Sequence, residues 1–313
     1  MEVIWNPNDF IAVEKTVLTL GIFDGVHLGH QALIRQIIER AKATHRQSMV
    51  ITFEPHPQLV LEKNSAEPLR ILTTIEEKIA RLNTTDLDWL IVVPFSPSFA
   101  EMKPEDFVEQ ILLKQLNMAE IFIGRDHTFG RRRTGNIELL KRMGAEKDFR
   151  VSEVHPIFSD DAIVSSTRIR SLLKDRQIEK ATALLGRPYS LQGRVIHGEG
   201  RGKSLGFPTV NLRPFSVYKL VPQTGLYLSR FYYQNRSFAA LTYIGKRPTF
   251  GLEEIVIETF VLDFDQEIYG MEITVELLKF IREDMTFATT QQLKKQIEQD
   301  VRKSLELFAT LAS

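Results

Sequence analysis

The apolar residues of this chain change their period once, near Gly186-Arg187-Pro188, and no single layer of structure accommodates both patterns. Before that point, from Thr16 to about Leu185, short β-rich runs alternate with helical periodicity. The strand candidates are Thr16 to Phe23, Ser48 to Phe53, Leu87 to Phe95, Glu120 to Gly124 and Phe149 to His155. Between the first two, Leu33, Ile34, Ile37, Ile38 and Ala41 recur at the i, i+3, i+4 spacing that gives a helix one apolar face. A later helix opens at Pro104, whose fixed φ and missing N–H suit a first turn, and Phe107, Ile111 and Leu112 line its buried side. This alternation predicts an α/β domain: a parallel sheet covered on both faces, with ligands at the carboxyl ends of the strands.

Beyond Pro188 the runs Tyr189 to Ile196, Gly225 to Tyr233, Phe238 to Ile244, Ile255 to Phe264 and Met271 to Ile281 follow one another with little helix between them. Period-2 strands in that arrangement predict a compact antiparallel barrel. A last helical stretch, Thr290 to about Leu307, carries Leu293, Ile297 and Val301 at i, i+4, i+8 and is expected to pack on the barrel as a lid or brace. The division is therefore read as two domains, 1–185 and 186–313, which the length of 313 residues also favours.

Composition narrows the chemistry. The chain has no cysteine, which removes disulfides, thiolate metal sites and cysteine nucleophiles, so catalysis must use oxygen and nitrogen side chains. Lys+Arg and Asp+Glu balance at 40 each, which argues against electrostatic affinity for nucleic acid or an anionic membrane. The first ten residues carry Glu2 and Asp9 instead of a basic stretch before an apolar run, and no later segment stays apolar for about 18 residues. A soluble cytoplasmic protein acting on small molecules is expected; oligomeric state is not legible.

After the first strand come Gly21-Ile22-Phe23-Asp24-Gly25-Val26-His27-Leu28-Gly29-His30 and, at once, a helix. The glycines let the backbone turn tightly beside a bulky ligand, and a helix start offers free N–H groups to phosphate. His27 and His30, three apart, can both face that phosphate. A zinc site is the competing reading, with Asp24 the only nearby third ligand. A second segment, Ser165-Ser166-Thr167-Arg168-Ile169-Arg170, combines hydroxyls with an arginine fork at another helix start, which suits nucleotide phosphates as well as an ordinary cap.

Together these motifs resemble the nucleotidyltransferase superfamily, and specifically the adenylyltransferase half of the bacterial bifunctional riboflavin kinase/FAD synthetases. Phe53-Glu54-Pro55-His56-Pro57 and Gly124-Arg125-Asp126-His127-Thr128-Phe129-Gly130 are similar to further motifs of that family. The resemblance implies a Rossmann-like domain in which Gly21, Phe23, Asp24, Gly25, His27, His30, Ser165, Ser166, Thr167 and Arg168 serve ATP. The Phe53 and Asp126 regions would line the flavin side, with His127 standing where the family has an aromatic, usually Phe. Arg131-Arg132-Arg133 reads as a solvated basic run.

In the second half, Gly198-Glu199-Gly200-Arg201-Gly202-Lys203-Ser204 invites a Walker reading, which fails. The glycine needed five positions before Gly202 is His197, and Gly206 and Pro208 follow where a helix should. The loop can still hold phosphate as a nest of N–H groups. Thr209 and Asn211, two apart on a strand, offer two neutral oxygens on one face to a hard cation such as Mg²⁺, although as an isolated pair they read more simply as surface strand residues. Glu258 is a lone acid in the apolar strand Ile255 to Val261, and outward exposure to solvent is its plain alternative. This stretch resembles the riboflavin kinase signature. That resemblance assigns Gly198, Gly202, Lys203, Gly206 and Pro208 to ATP, Thr209 and Asn211 to magnesium, and the role of catalytic base to Glu258. Tyr243 stands where the family commonly has Asn.

The expected function is phosphorylation of riboflavin to FMN by ATP, then adenylyl transfer from ATP to FMN, giving FAD and pyrophosphate. Two alternatives remain at this point: a flavin-binding regulatory protein, and a nucleotidyltransferase with another phosphate acceptor.

Overall fold

The computed structural model describes residues 1–62, 68–159, 162–198, 200, 202, 205–249 and 252–311. They form two compact units, Met1–Ser166 and Thr167–Ser313.

The first unit is built on strands β1 (Glu2–Ile4), β2 (Thr16–Leu20), β3 (Gln47–Glu54), β4 (Trp89–Pro94), β5 (Met118–Gly124) and β6 (Arg150–Val154). They lie in the order β1-β4-β3-β2-β5-β6, and every neighbouring pair is parallel. β1 is an addition to the expected strands: three residues paired to β4, too short to show a period.

Alternation along the strands sends neighbouring residues to opposite faces, and the two faces are visible as two cores. Leu18, Met49, Ile51, Ile91 and Val93 pack with Phe107, Val108, Ile111 and Leu112 of the Pro104 segment. Val17, Val50, Leu90 and Val92 pack with Ile34, Ile37, Ile38 and Ala41 of helix α1 (Leu28–Ala43). The apolar faces read from the sequence are thus the buried ones, and the sheet is covered on both sides. The Pro104 segment differs in detail, because Phe107–Gln115 winds as a π-helix.

β2, β3 and β4 step outward in one direction, whereas β5 and β6 step outward in the other. The order reverses between β2 and β5, which leaves a crevice at their carboxyl ends where such folds bind ligands.

The second unit is a closed barrel. Its strands are β9 (Tyr189–Ile196), β10 (Thr209–Pro214), β11 (Gly225–Tyr233), β12 (Arg236–Thr249), β13 (Leu252–Val261) and β14 (Glu272–Arg282); a small hairpin of β7 (Phe158–Ser159) and β8 (Ala162–Ile163) precedes them in the chain. The order β10-β13-β12-β11-β14-β9 closes because β9 pairs with both β10 and β14, all antiparallel. The helix Ile178–Leu185 belongs to this unit and ends at Gly186, whose φ of 71° is a left-handed stop that glycine adopts without strain. The final helix, Thr290–Leu311, is fixed to the barrel by Asp300. Its carboxylate is nearly buried and accepts from Arg282 Nε and Nη2 at 3.0 and 2.8 Å, which makes the helix a brace.

Candidate active sites

At the end of β2 the chain makes a turn that regular structure would not supply. Gly21 N donates to Ile51 O (3.0 Å), and Phe23, Gly25 and Val26 then take φ values of 52°, 85° and 39°. Non-glycine residues rarely sit there unless their surroundings hold them. The holding groups are visible. Asp24, 4% exposed, accepts from the amides of Leu72 (2.8 Å) and Thr73 (3.0 Å), and Gly25 N donates to Thr73 Oγ1 (2.9 Å). Ser166 Oγ donates to the carbonyl of Asp24 at 2.8 Å, which draws the Ser165 segment onto the turn.

The turn delivers His27 as the N-cap of α1, where its Nδ1 accepts from His30 N at 3.4 Å. The two imidazoles stack, with centroids 3.6 Å apart, and the edge of the buried Phe23 ring meets His30 at 5.1 Å. Both histidines therefore stand at the positive end of α1, His27 buried and His30 half-buried. Among the described residues no cluster of three or more His, Asp or Glu is placed for a metal ion, and the oxygens of Asp24 face amides. Thr167 and Arg168 open the second unit, in the first turn of the helix Ser166–Lys174, and the Thr167 hydroxyl accepts from Arg170 Nη2 at 3.4 Å.

Across the crevice, β5 ends at Gly124 in a turn closed by His127 N to Gly124 O (3.1 Å), with Asp126 exposed at its tip. Burial, and secondarily Arg133, pushes the His127 imidazole down to about 4, so it is neutral at pH 7. Arg131, Arg132 and Arg133 are exposed, and Arg133 Nε donates to Thr128 Oγ1 at 2.9 Å. An aromatic chain follows the strand ends: Phe53 to Phe99 (6.1 Å), Phe99 to Phe107 (6.0 Å) and Phe107 to Phe129 (6.0 Å), with Phe95 against both Phe53 and Phe99. Phe53 and Phe129 lie in the motifs, whereas Phe95 is read from the sequence only as the end of a strand and Phe99 is not singled out; the strand in fact ends at Pro94, and the i, i+4 spacing of Phe95 and Phe99 just beyond it is the signal that marks them.

The barrel site is a row across three strands. Antiparallel register sets Asn211 on β10 opposite Glu258 on β13, and Glu258 opposite Tyr243 on β12. Cross-strand neighbours share a face, so the three side chains lie together. Thr209, two residues from Asn211, donates from Oγ1 to Glu258 Oε2 at 3.4 Å. Ile257 and Thr259 are buried inside the barrel, and Glu258 between them is half-covered on the outer face. The Tyr243 hydroxyl donates to Asp284 Oδ2 (3.0 Å); burial first, then the Asp284 and Glu258 charges, pushes it up to about 12, so it stays protonated.

The Gly-rich loop comes close to this row. A Cβ on Gly198 would lie 2.3 Å from the Asn211 carboxamide, so glycine is what lets that side chain reach its position. Phe207 N donates back to Gly202 O (2.9 Å), and Gly206, at φ +90°, sets the turn ahead of the exposed Pro208 and β10. After Gly206 the chain passes directly through Pro208 into β10, so the long helix of a Walker motif does not follow. Lys203 and Ser204 lie outside the described residues. The hydroxyl of Thr209, the carboxamide of Asn211 and the carboxylate of Glu258 form an all-oxygen set, the chemistry that a hard divalent cation takes.

A family model described as FAD synthetase matches residues 11–168, and one described as riboflavin kinase matches residues 185–308. The chain belongs to the bifunctional riboflavin kinase/FMN adenylyltransferase family. A relative of that name from Buchnera aphidicola is 36% identical over 92% of this chain and 91% of its own. Another of that name, from Bacillus subtilis, is 35% identical over 98% of each. A crystal structure from Streptococcus pneumoniae, described as a macrolide-efflux protein, is 31% identical and superposes with a TM-score of 0.88, covering 97% of this chain and 98% of that one. Among the described residues no helix is long and apolar enough to cross a membrane.

Proposed function

We propose that the chain runs both ATP-dependent steps of flavin cofactor formation: the barrel phosphorylates riboflavin to FMN, and the α/β unit transfers adenylate from ATP to FMN, releasing pyrophosphate. The observation that supports this reading is the coexistence of two constellations, the His27/His30 turn at the strand-order reversal and the Asn211-Glu258-Tyr243 row. By the sequence division, 1–185 is the adenylyltransferase domain and 186–313 the kinase domain, although the compact units divide at Ser166/Thr167, so that 167–185 pack with the barrel unit.

In the barrel, Glu258 acts as general base. The ribityl hydroxyl of riboflavin is a poor nucleophile when neutral, and a half-covered carboxylate beside the Thr209 and Asn211 oxygens can take its proton. Thr209 and Asn211 are the residues that would hold Mg²⁺, which supplies charge neutralisation on the ATP phosphates when bound. Gly198, Gly202, Lys203, Gly206 and Pro208 belong to the loop that would cradle those phosphates.

In the α/β unit the incoming FMN phosphate is already anionic at pH 7, its second pKa being about 6, so attack on the α-phosphorus needs no general base. His27, His30 and the N–H groups at the start of α1 stabilise charge on the phosphoryl oxygens. Arg168 joins them by its place in the Ser165–Arg170 motif, with Ser165, Ser166 and Thr167. Gly21, Phe23, Asp24 and Gly25 shape the turn, Asp24 through its grip on Leu72 and Thr73. Asp126 stands on the flavin side with the aromatic chain. The partners are small molecules, with no nucleic acid and no membrane, and the site of action is the cytoplasm, where ATP is available. Incubating the chain with riboflavin, ATP and Mg²⁺ and separating the flavins tests the reading: FMN then FAD is expected, and neither product would overturn it.

A further inference from the structure

The turn that carries His27 is held from beneath by a residue that no motif includes. Helix Ile75–Leu82 starts in a capping box of Thr74 and Glu77, directly after the Leu72 and Thr73 amides that grip Asp24. One turn further on, Lys78 runs back under the β2 end. Its Nζ donates to Ile22 O at 2.7 Å and to Thr52 Oγ1 at 3.0 Å, and the residue is only 3% exposed.

A buried ammonium is costly, and the packing of this helix does not call for one. Ile75 and Leu82 put the same helix face into an apolar core, where a straight apolar side chain between them would serve. What the ammonium does contact is the peptide between Ile22 and Phe23, the entry to a turn with three residues in the left-handed region. Strained turns persist only where neighbours over-determine them.

We propose that Lys78 is a positioning residue for FMN adenylyl transfer. Its ammonium holds the Ile22 carbonyl, and with it the Gly21–Val26 turn, in the shape that presents His27, His30 and the start of α1 to an anionic substrate. The inference rests on the placement of adenylyl transfer at that turn.

The charged groups facing Lys78 are Asp24 from the turn and Glu54 from the end of β3, and Glu76 acts in turn on Glu54. Burial lowers the lysine to about 8 against the pull of those two carboxylates, so the cation is present below pH 8 and discharges above it. A neutral amine keeps N–H donors but leaves Asp24 and Glu54 without their counter-charge.

The test uses the full chain and assays both reactions on each preparation. Lys78→Met keeps the stem and removes charge and donors. We expect kcat/KM for FAD formation from FMN to fall about 10²-fold, the scale for a catalytic group misplaced by about an ångström. Riboflavin phosphorylation should be unchanged. The wild type should lose adenylyl transfer above about pH 8, and this alkaline limb should be absent in the variant. Lys78→Gln, which keeps an N–H donor, should recover part of the rate without the limb, and it carries the test if the methionine variant does not fold. Wild-type FAD formation in both variants, or equal loss in both with the alkaline limb retained, overturns the proposal. His27→Asn runs in parallel. If it leaves FAD formation intact, the turn is not the adenylyl site and the proposal falls with that reading; if it is impaired while the lysine variants are not, only the role of Lys78 is lost.

Discussion

The proposed adenylyl turn and the proposed kinase row obtain their rigidity from different sources. In the barrel, Asn211, Glu258 and Tyr243 are aligned by β-ladder register, and the inside of the same strands is tied by a buried ladder of hydroxyls, Ser229 to Thr242 (2.7 Å) and Thr242 to Thr259 (3.1 Å). Every backbone bond in the ladder helps place the site. In the α/β unit the turn at Phe23–Val26 has left-handed backbone and depends on Thr73, Lys78 and Ser166, which lie 48 to 142 residues away in sequence. A strand-built site should therefore fail one side chain at a time, and a turn-built site should fail through its neighbours.

The largest effect expected is at Glu258. Glu258→Gln keeps size and a hydrogen-bonding group but removes the proposed base, so the kinase rate should drop about 10²- to 10⁴-fold while FAD formation from supplied FMN stays near normal. A wild-type kinase rate would return Glu258 to a solvent-facing role and break the contrast at its strand-built end.

His27 caps α1 and, in the proposed reading, also flanks the phosphate, and His27→Asn separates the two roles. Asparagine is a good N-cap, so helix stability should hold, whereas losing one charge-stabilising group should slow adenylyl transfer about 10²-fold or more. Riboflavin phosphorylation should be untouched, because no residue is shared between the two constellations. Loss of both activities in a folded variant would count against two separate sites.

A smaller effect tests the reach of the strand row. In Gly198→Ala the new methyl displaces the Asn211 carboxamide, the flexible end of a side chain, so stability should change by less than about 1 kcal/mol. Kinase activity should fall roughly tenfold, with a raised magnesium requirement, because an oxygen has moved within a preorganised set. Asn211→Ala should reproduce that requirement. If Gly198→Ala titrates with magnesium like the wild type, Asn211 is not a metal ligand.

The same contrast explains what the sequence revealed. Period-2 and 3.6-residue patterns exposed both cores, since burial of Ile37, Val50 or Leu228 depends on local alternation that the chain displays directly. Glu258 could be picked out as a lone acid in an apolar strand, whereas Thr209 and Asn211, in the mixed strand Thr-Val-Asn-Leu-Arg-Pro, stood out only through the riboflavin kinase signature. β1 escaped because three residues show no period, and Lys78 because a lysine on a helix reads as solvated surface. Its burial follows from the approach of Ile22 and Thr52, contacts of 56 and 26 residues' separation. Even the apparent lone pair of histidines needed tertiary structure: three residues apart, they could have flanked a ligand separately, and instead they stack.

The smallest effect concerns stability in acid and isolates the turn-built unit. His127 replaces an aromatic of the family pattern, and burial, then Arg133, lowers it from 6.5 to about 4. The unfolded chain therefore binds more protons than the folded one between those values, so stability rises with pH across that window. The contribution is complete above pH 6.5 and is lost as the pH falls through 6.5 towards 4. Each decade is worth about 1.4 kcal/mol, which bounds the loss at about 3.5 kcal/mol, and the partial exposure of the ring reduces it. Trp5 and Trp89, the only tryptophans, both lie in the first unit, so their fluorescence reports its unfolding without signal from the barrel. His127→Phe should flatten the dependence of that transition on pH between 6.5 and 4 and leave it unchanged above 7. If the slope is the same in both proteins, the imidazole is hydrated in solution and its neutral, buried state beside Arg133 is not what stabilises the β5 turn.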